Sequence, residues 1–387
     1  MYDILKLNEI SPVASKAFGN GVNLSKDCAN PAGIILRSFN MHDYALPDSV
    51  LAVARAGAGV NNIPTDKLTP KGIVVFNTPG ANANAVKELV VCALLLGSRK
   101  IADGIEWVKT LKGKGDEVGK LVEAGKNAFV GGELADKKLG VIGLGAIGNL
   151  VSNAAVELGM TVYGFDPYIS VDGAWHLHRD VIHAKDIAEI YRECDYISIH
   201  IPYSAGTKNM IDAEALGKMK PNACLINMSR GELVSNKDLL KALAAGKIGR
   251  YVTDFPSDEL IGVENIICIP HLGASTPEAE DNCAFMAANQ LRNYIENGNI
   301  VNSVNFPRCE LARSGKMRIT VFHMNIKNML IQMIDSISSA KINIGNMVSQ
   351  SQGDYAYTIF ELDETASDAV ISKLKAIKDV LRIRVIY

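Results

Sequence analysis

The chain is predicted to be an α/β protein. Two Rossmann-like doubly wound parallel-sheet domains, the first of them discontinuous, precede a C-terminal ferredoxin-like βαββαβ unit. Three observations predict this. Short apolar runs alternate with helical patterns as far as about residue 274, as a parallel sheet with helical crossovers requires. Lys137–Asp166 reads strand, G-x-G-x-x-G turn, helix, strand, acid. From Arg318 onward the order becomes strand, helix, two strands, helix, strand.

In chain order, Gly33–Leu36, Leu51–Ala54 and Gly72–Phe76 are the first expected strands. Turn-forming residues follow each of them: Arg37-Ser38, then Ala56-Gly57-Ala58-Gly59, then Asn77-Thr78-Pro79-Gly80. Ligands of open parallel sheets bind at such carboxyl ends. Arg37 therefore suits an anion there as well as it suits a surface ion pair. A helix is expected over Val86–Ile101, and the lysine- and glycine-rich stretch Lys109–Lys126 reads as an exposed, mobile excursion.

Next comes a strand at Leu139–Ile142, then Gly143, Gly145 and Gly148, then a helix over Asn149–Leu158. A strand at Thr161–Phe165 ends on Asp166, about 20 residues past the glycines. Each part suits a dinucleotide. Gly143 allows the tight turn, Gly145 lets backbone approach a pyrophosphate, and Gly148 lets helix pack on strand. The helix N-terminus offers unpaired N–H groups and partial positive charge to the pyrophosphate. Asp166 can accept hydrogen bonds from the adenosine ribose and would repel a 2′-phosphate, which favours NAD over NADP.

Further strands are expected at Tyr196–Ile199, Cys224–Met228, Tyr251–Thr253 and Ile266–Ile269. His176, His178 and His183 lack the spacing of a metal site and read as surface residues, so no metal is expected. His200, before Pro202, reads as a local hydrogen-bonding residue. Thr276-Pro277 starts a helix running to about Asn297. That helix is expected to cross back into the first domain, and Pro307–Gly315 reads as a linker. The tail reads as strands at Arg318–Met324, Ile342–Ser351, Tyr355–Leu362 and Leu381–Ile386, with helices at Lys327–Ser339 and Ser367–Lys378. The expected domains are 1–97 with 275–308, then 98–274, then a separate unit at 316–387.

The bulk numbers narrow the function. With 387 residues, 48% of them apolar and 21% charged, the chain has cores for two or three domains. A net charge of −2 without a basic block disfavours nucleic acid or an anionic membrane as partner. No apolar run reaches spanning length, and MYDILKLNEI is not a signal peptide. The seven cysteines contain no C-x-x-C pair and read as reduced core residues of a cytoplasmic protein.

Three ionisable residues fall in loops after successive strands of the second sheet: Arg230, Glu259 and His271. Oxidation of an alcohol by NAD releases the hydroxyl proton as the hydride leaves. Histidine, titrating near neutrality, suits that proton. A carboxylate on the other ring nitrogen, which Glu259 can supply, would fix the tautomer. Arg230 can grip the carboxylate of a 2-hydroxy acid through two hydrogen bonds. Asp254, at a strand end, is placed for the nicotinamide or its ribose.

The motifs RAGAGVNNI from Arg55, NTPGANANAVKEL from Asn77, LGVIGLGAIG from Leu139, INMSRGELV from Ile226 and IPHLGAST from Ile269 resemble the D-isomer-specific 2-hydroxyacid dehydrogenase family over nearly the whole chain. The resemblance implies that Arg230, Glu259 and His271 are catalytic. It also implies cofactor contacts from Ala146, Ile147, Ile201, Met228, Ser229, Arg230, Asp254, His271, Leu272, Gly273 and Ala274. Arg37 is implied for a substrate phosphate, and Ala58, Gly59 and Asn82 for the carboxylate pocket. Lys126 falls where some members reach a neighbouring subunit. The implied reaction is oxidation of 3-phosphoglycerate to 3-phosphohydroxypyruvate, the first step of serine synthesis. The residues leave two other readings open: the same chemistry on glycerate, lactate or another 2-hydroxy acid, and a non-catalytic NAD sensor.

The tail resembles an ACT domain, which implies a homo-oligomer and L-serine as effector through His323, Asn325 and Asn343. Family members usually have Pro-Gly where Lys327-Asn328 stands here, so a tail that only oligomerises fits equally. DFPSDE replaces a commoner D-V-F-x-x-E-P pattern with the Asp254-to-Glu259 spacing kept, and Lys87 stands where a small residue is usual.

Overall fold

The computed structural model describes residues 2–387. The first sheet contains β1 (Tyr2–Lys6), β2 (Val22–Ser25), β3 (Gly33–Leu36), β4 (Ala52–Arg55) and β5 (Val74–Phe76), all parallel, in the order β2-β1-β3-β4-β5. The three expected strands are the fully or nearly fully buried ones. β1 and β2 add to them, and their mixed burial explains why neither reads as an unbroken apolar run. The helix Pro277–Asn297 returns onto this sheet: Ala284, Ala287, Ala288 and Leu291 share a core with Ile4, Ile35 and Ala54.

The second sheet contains β6 (Lys138–Ile142), β7 (Thr161–Phe165), β8 (Ile182–His183), β9 (Tyr196–Ile199), β10 (Cys224–Asn227), β11 (Arg250–Thr253) and β12 (Ile266–Cys268). All pairings are parallel, in the order β12-β11-β10-β9-β6-β7-β8. The order reverses between β6 and β9, the switch point at which doubly wound sheets bind ligands.

The chain divides into two compact units, one running through Ala81 and resuming at Glu280–Tyr387, the other Asn82–Ala279. Two expected boundaries move, from 97 to 81 and from 275 to 280. The helix Ala83–Ser98 packs on the second sheet, with Val86, Val90, Ala93 and Leu94 in one core with Val141, Val151, Ala155 and Val252. The first segment therefore stops at 81 rather than 97. An apolar stripe is visible in sequence; the sheet that receives it is not. The stretch Lys109–Lys126, expected as an exposed, mobile excursion, is mostly exposed but carries the helix Val118–Gly125 with a short 3-10 turn before it; the helix Ile101–Lys109 leads into it. Trp107 and Phe129, which flank that stretch, pack with ring centroids 5.2 Å apart.

The third sheet contains β13 (Met317–Met324), β14 (Ile344–Gln352), β15 (Tyr355–Leu362) and β16 (Val380–Ile386), antiparallel in the order β14-β15-β13-β16. With helices Met329–Ser338 and Asp368–Ala376 this is the expected βαββαβ unit, and both helices pack on one face over Ile319, Val321 and Phe360. The expectation of a separate tail is corrected. The other face joins the core of the first sheet, where Phe322, Tyr357 and Ile359 meet Phe76, Tyr294 and Phe306. Phe306 and Phe322 lie 4.5 Å apart between ring centroids. Polar contacts continue the seam: Tyr357 Oη donates to Gly298 O at 2.7 Å, and Arg384 donates to Tyr294 O and Ile295 O at 3.0 and 2.6 Å.

Candidate active site

At the switch point each glycine of the triplet meets a different constraint. Gly143 has φ +93°, and a Cβ there would lie 2.6 Å from His200 O. Gly148 sits so close beneath the turn that a Cβ would come within 1.9 Å of Gly143 O. Gly145 has nothing within 4 Å of such a Cβ. Two glycines thus close the backbone on itself, while the third keeps its outer side open for a ligand. Gly145 caps the helix Ala146–Glu157, and no side chain occupies the N–H groups of its first turn, where Ala146 and Ile147 lie. Asp166 is half-buried; Oδ2 accepts from Leu144 N and Oδ1 from Tyr168 N, both at 2.8 Å. Its carboxylate is thereby fixed beside the turn with further acceptor capacity. His200 shares a 2.8 Å hydrogen bond with Ser198 Oγ, and burial pushes its imidazole down to about 3. It is neutral at physiological pH and acts locally, as expected, next to Ile201.

The loops after β10, β11 and β12 carry the reactive candidates. Ser229 Oγ donates to Ile199 O at 2.6 Å, and Asn227 Nδ2 donates to Arg230 O at 2.8 Å, so the segment Met228–Arg230 is fixed through its backbone. The Arg230 guanidinium is exposed and donates to Ser229 O at 2.6 Å. Asp254 is buried at the end of β11. Its Oδ2 accepts from Gly273 N at 3.1 Å, and its Oδ1 has no partner. Burial pushes its carboxyl above the usual range against that hydrogen bond and the nearby His271 and Arg230.

His271 has φ +48°, a left-handed conformation that a non-glycine residue adopts at a cost of about 1–2 kcal/mol. Its N–H donates to Asp254 O and Ile269 O, and its ring lies 4.8 Å from that of Phe255. The ring is exposed and held by that stacking. Leu272 is exposed, Gly273 buried and Ala274 half-buried in the same loop. Glu259 departs from the expected geometry: its carboxylate accepts from Asn236 Nδ2 at 3.1 Å and makes no bond to His271. Phe255 and Asn236 were not among the expected residues. Phe255 had a signal in its place directly after Asp254; Asn236 had none, since only tertiary structure puts it beside Glu259.

On the other unit, Arg37 follows β3. Its N–H donates to Asn8 Oδ1 at 2.9 Å, and its carbonyl accepts from Arg55 Nε and Asn62 Nδ2 at 3.0 and 3.1 Å. Its guanidinium pairs with Glu280. Ala58, whose carbonyl accepts from Asn77 Nδ2 at 2.7 Å, and Gly59 lie in the loop after β4. Asn82 belongs to the cofactor unit instead. It precedes the helix Ala83–Ser98 without capping it, so its amide is not used by that helix. Lys126 pairs with Glu123. In the tail, His323 is buried, with Nδ1 on Met324 O and Nε2 on Thr358 Oγ1, both at 2.9 Å. Asn325 donates to Gly353 O and Asn343 to Asp363.

The residues fit NAD on three counts: an open Gly145, unoccupied helix N–H groups, and a buried orphan acceptor at Asp254. A switch point so equipped, with a histidine and an arginine in loops of the same sheet, defines the class of nicotinamide-dependent dehydrogenases. Comparison makes the class particular. Residues 91–273 match the NAD-binding domain of the D-isomer specific 2-hydroxyacid dehydrogenases, and the chain belongs to that family. NAD is its cofactor.

The D-3-phosphoglycerate dehydrogenase of Haemophilus influenzae is 31% identical over 350 residues, which is 87% of this chain and 82% of that protein. That of Methanocaldococcus jannaschii is 33% identical over 295 residues, 74% of this chain, and this chain spans about half (54%) of its length. The NAD+-bound 3-phosphoglycerate dehydrogenase structure from Entamoeba histolytica superposes with a TM-score of 0.60 at 26% identity. It covers 79% of this chain and 98% of its own.

Proposed function

We propose that the protein catalyses NAD-dependent oxidation of D-3-phosphoglycerate to 3-phosphohydroxypyruvate, the first step of serine synthesis. The observation that carries this is the grouping at the ends of β10 to β12: an exposed imidazole and an exposed guanidinium beside a buried acceptor without a partner. Bound NAD supplies the hydride acceptor. His271 takes the hydroxyl proton as the carbonyl forms, and Arg230 binds the substrate carboxylate and polarises the new carbonyl. Glu259 supports the imidazolium once its side chain leaves Asn236 for the ring. Asp254 orients the cofactor by accepting a hydrogen bond at Oδ1. Arg37 takes the phosphate, while Ala58, Gly59 and Asn82 contribute backbone and amide contacts to the carboxylate.

The tail is proposed to serve a homo-oligomer and to respond to L-serine through His323, Asn325 and Asn343. Asn328 supports this, because it adopts φ +68° and so keeps the left-handed backbone that a glycine would provide. Seven cysteines without a disulfide support a cytoplasmic setting. Among the described residues no helix is long and apolar enough to cross a membrane.

The test is NADH oxidation with 3-phosphohydroxypyruvate, hydroxypyruvate and glyoxylate, each with and without L-serine. Preference for the phosphorylated keto acid and inhibition by serine are expected. Indifference to the phosphate assigns the enzyme to another 2-hydroxy acid. No turnover with intact NADH binding leaves a sensor.

A further inference from the structure

The ion pair between Arg37 and Glu280 bears on how the phosphate is selected. Both side chains are partly open to solvent, 37% and 46% exposed, so an anion can reach either. The backbone on both sides of the pair is anchored. Arg37 is tied through its backbone to Asn8 in the loop after β1, to Arg55 at the end of β4 and to Asn62 in the loop that follows it. Glu280 lies at the head of the helix Pro277–Asn297, and its neighbour Asp281 accepts from Ser11 Oγ at 2.5 Å, which pins that head to the loop after β1. An anion arriving at Arg37 therefore meets the exposed Glu280 carboxylate as its competitor.

We propose that Glu280 is a resident counter-ion that competes for Arg37: it occupies the guanidinium until a substrate phosphate displaces it. The inference rests on the proposal that Arg37 is the phosphate-binding residue. A monoanionic group offers Arg37 no more charge than the tethered Glu280 already supplies, so it gains nothing by exchange. A phosphate near full ionisation carries about two charges and three acceptor oxygens, and a guanidinium can hold it through two parallel hydrogen bonds. It displaces the carboxylate, which is then repelled. Glu280 thus lowers affinity for all anions at Arg37 and leaves a dianion the winner. It touches no reacting atom.

Glu280→Gln keeps a hydrogen-bond acceptor for Arg37 and removes the charge. The KM for 3-phosphohydroxypyruvate and the Ki of inorganic phosphate as competitive inhibitor should both fall about 2- to 5-fold, the range of a partly exposed ion pair. The kcat and the KM for hydroxypyruvate, which puts no group at Arg37, should stay within error. A rise in KM for the phosphorylated substrate would mean that Glu280 orients Arg37 rather than competing for it. That result, or no change in KM and Ki, overturns the inference. Arg37→Ala, assayed in parallel, separates the two readings. If it raises only the phosphorylated KM while Glu280→Gln does nothing, the counter-ion role fails and the phosphate site stands. If Arg37→Ala spares both substrates, the phosphate assignment itself fails.

Discussion

His271 joins a chemical requirement to a backbone one. The proposed reaction needs its imidazole accessible to exchange a proton, and its φ of +48° tolerates few side chains. Asparagine accepts that conformation readily, so His271→Asn removes the base without straining the loop. Turnover should fall about 10²- to 10⁴-fold while NADH affinity, read by fluorescence titration, stays near the parent value. Asp254 tests the neighbouring role. Its carboxyl is raised by burial, so as pH rises through that raised value the folded protein must carry a buried charge, and stability falls. Asp254→Asn should therefore raise the melting midpoint at neutral pH. It should weaken NADH binding by about 10-fold, because an amide placed to accept from Gly273 N turns a donor where an acceptor is needed. A lowered midpoint would show that the charge stabilises the loop.

At the scale of the element, the β6–turn–helix unit assigns separate work to glycines that look equivalent in sequence. Gly145 has space around it and φ −71°, which any residue adopts. Gly145→Ala should leave the thermal midpoint within about a degree or two, as surface changes do, and should cut NADH affinity at least about 10-fold by blocking the backbone's approach to the pyrophosphate. Gly148→Ala should do the reverse in order of cause. Its methyl would come within 1.9 Å of Gly143 O, so the helix must shift and the unit should lose more than about 2 kcal/mol of stability in urea titration. Equal loss of stability in both variants would refute this division. The helix Pro277–Asn297 shows a similar economy. Glu280 near its start meets Arg37, and at its end Arg384 and Arg318 donate to the carbonyls of Tyr294, Ile295 and Asn297. Cations placed there complement the helix dipole and satisfy carbonyls that have no intrahelical partner.

For the whole molecule, the consequence lies in the tail. Its sheet is one wall of the first unit's core, and a fully buried Arg318–Glu361 pair lies in the seam, with Glu361 also accepting from Ser314 N and Gly315 N at 2.9 and 2.6 Å. Burial alone would raise the Glu361 carboxyl. The Gly315 and Ser314 N–H groups and Arg318 outweigh it and hold the carboxyl below its usual range. The stabilisation it contributes is therefore complete above the ordinary carboxylate range and is lost as pH falls through the lowered value. Arg318→Met should cost about 3–5 kcal/mol by removing the nearest charge from the buried Glu361, which Arg313, at 3.8 Å, does not replace. A chain ending at residue 312 should aggregate or lose near-UV circular dichroism, since Tyr294, Phe306 and Phe76 would lose their cover. A soluble, active truncated enzyme would restore the independent regulatory domain that the sequence suggested.

Much was legible beforehand because it is local. The glycine spacing, the acid at the end of β7, the apolar runs of β3, β6, β9 and β10, and the βαββαβ order of the tail all follow from steric and hydrophobic rules acting over a few residues. The placement of His271 and Arg230 in loops after strands was legible for the same reason, since a strand end in a parallel sheet is a local signal. Other features depend on pairings between distant parts of the chain. The Ala83–Ser98 helix shows an apolar stripe without its sheet, and β13 and β15 show two apolar faces of which only one could be assigned to the tail's own helices. Glu259 was read with His271 and folds beside Asn236; Arg37 was read with a ligand and meets Glu280. The cofactor turn, and the places of Arg230 and His271 at strand ends, are set by covalent neighbours and could be read from the chain alone. Tertiary structure alone decided which charges and apolar faces are matched, because partners hundreds of residues apart are chosen by the burial they share.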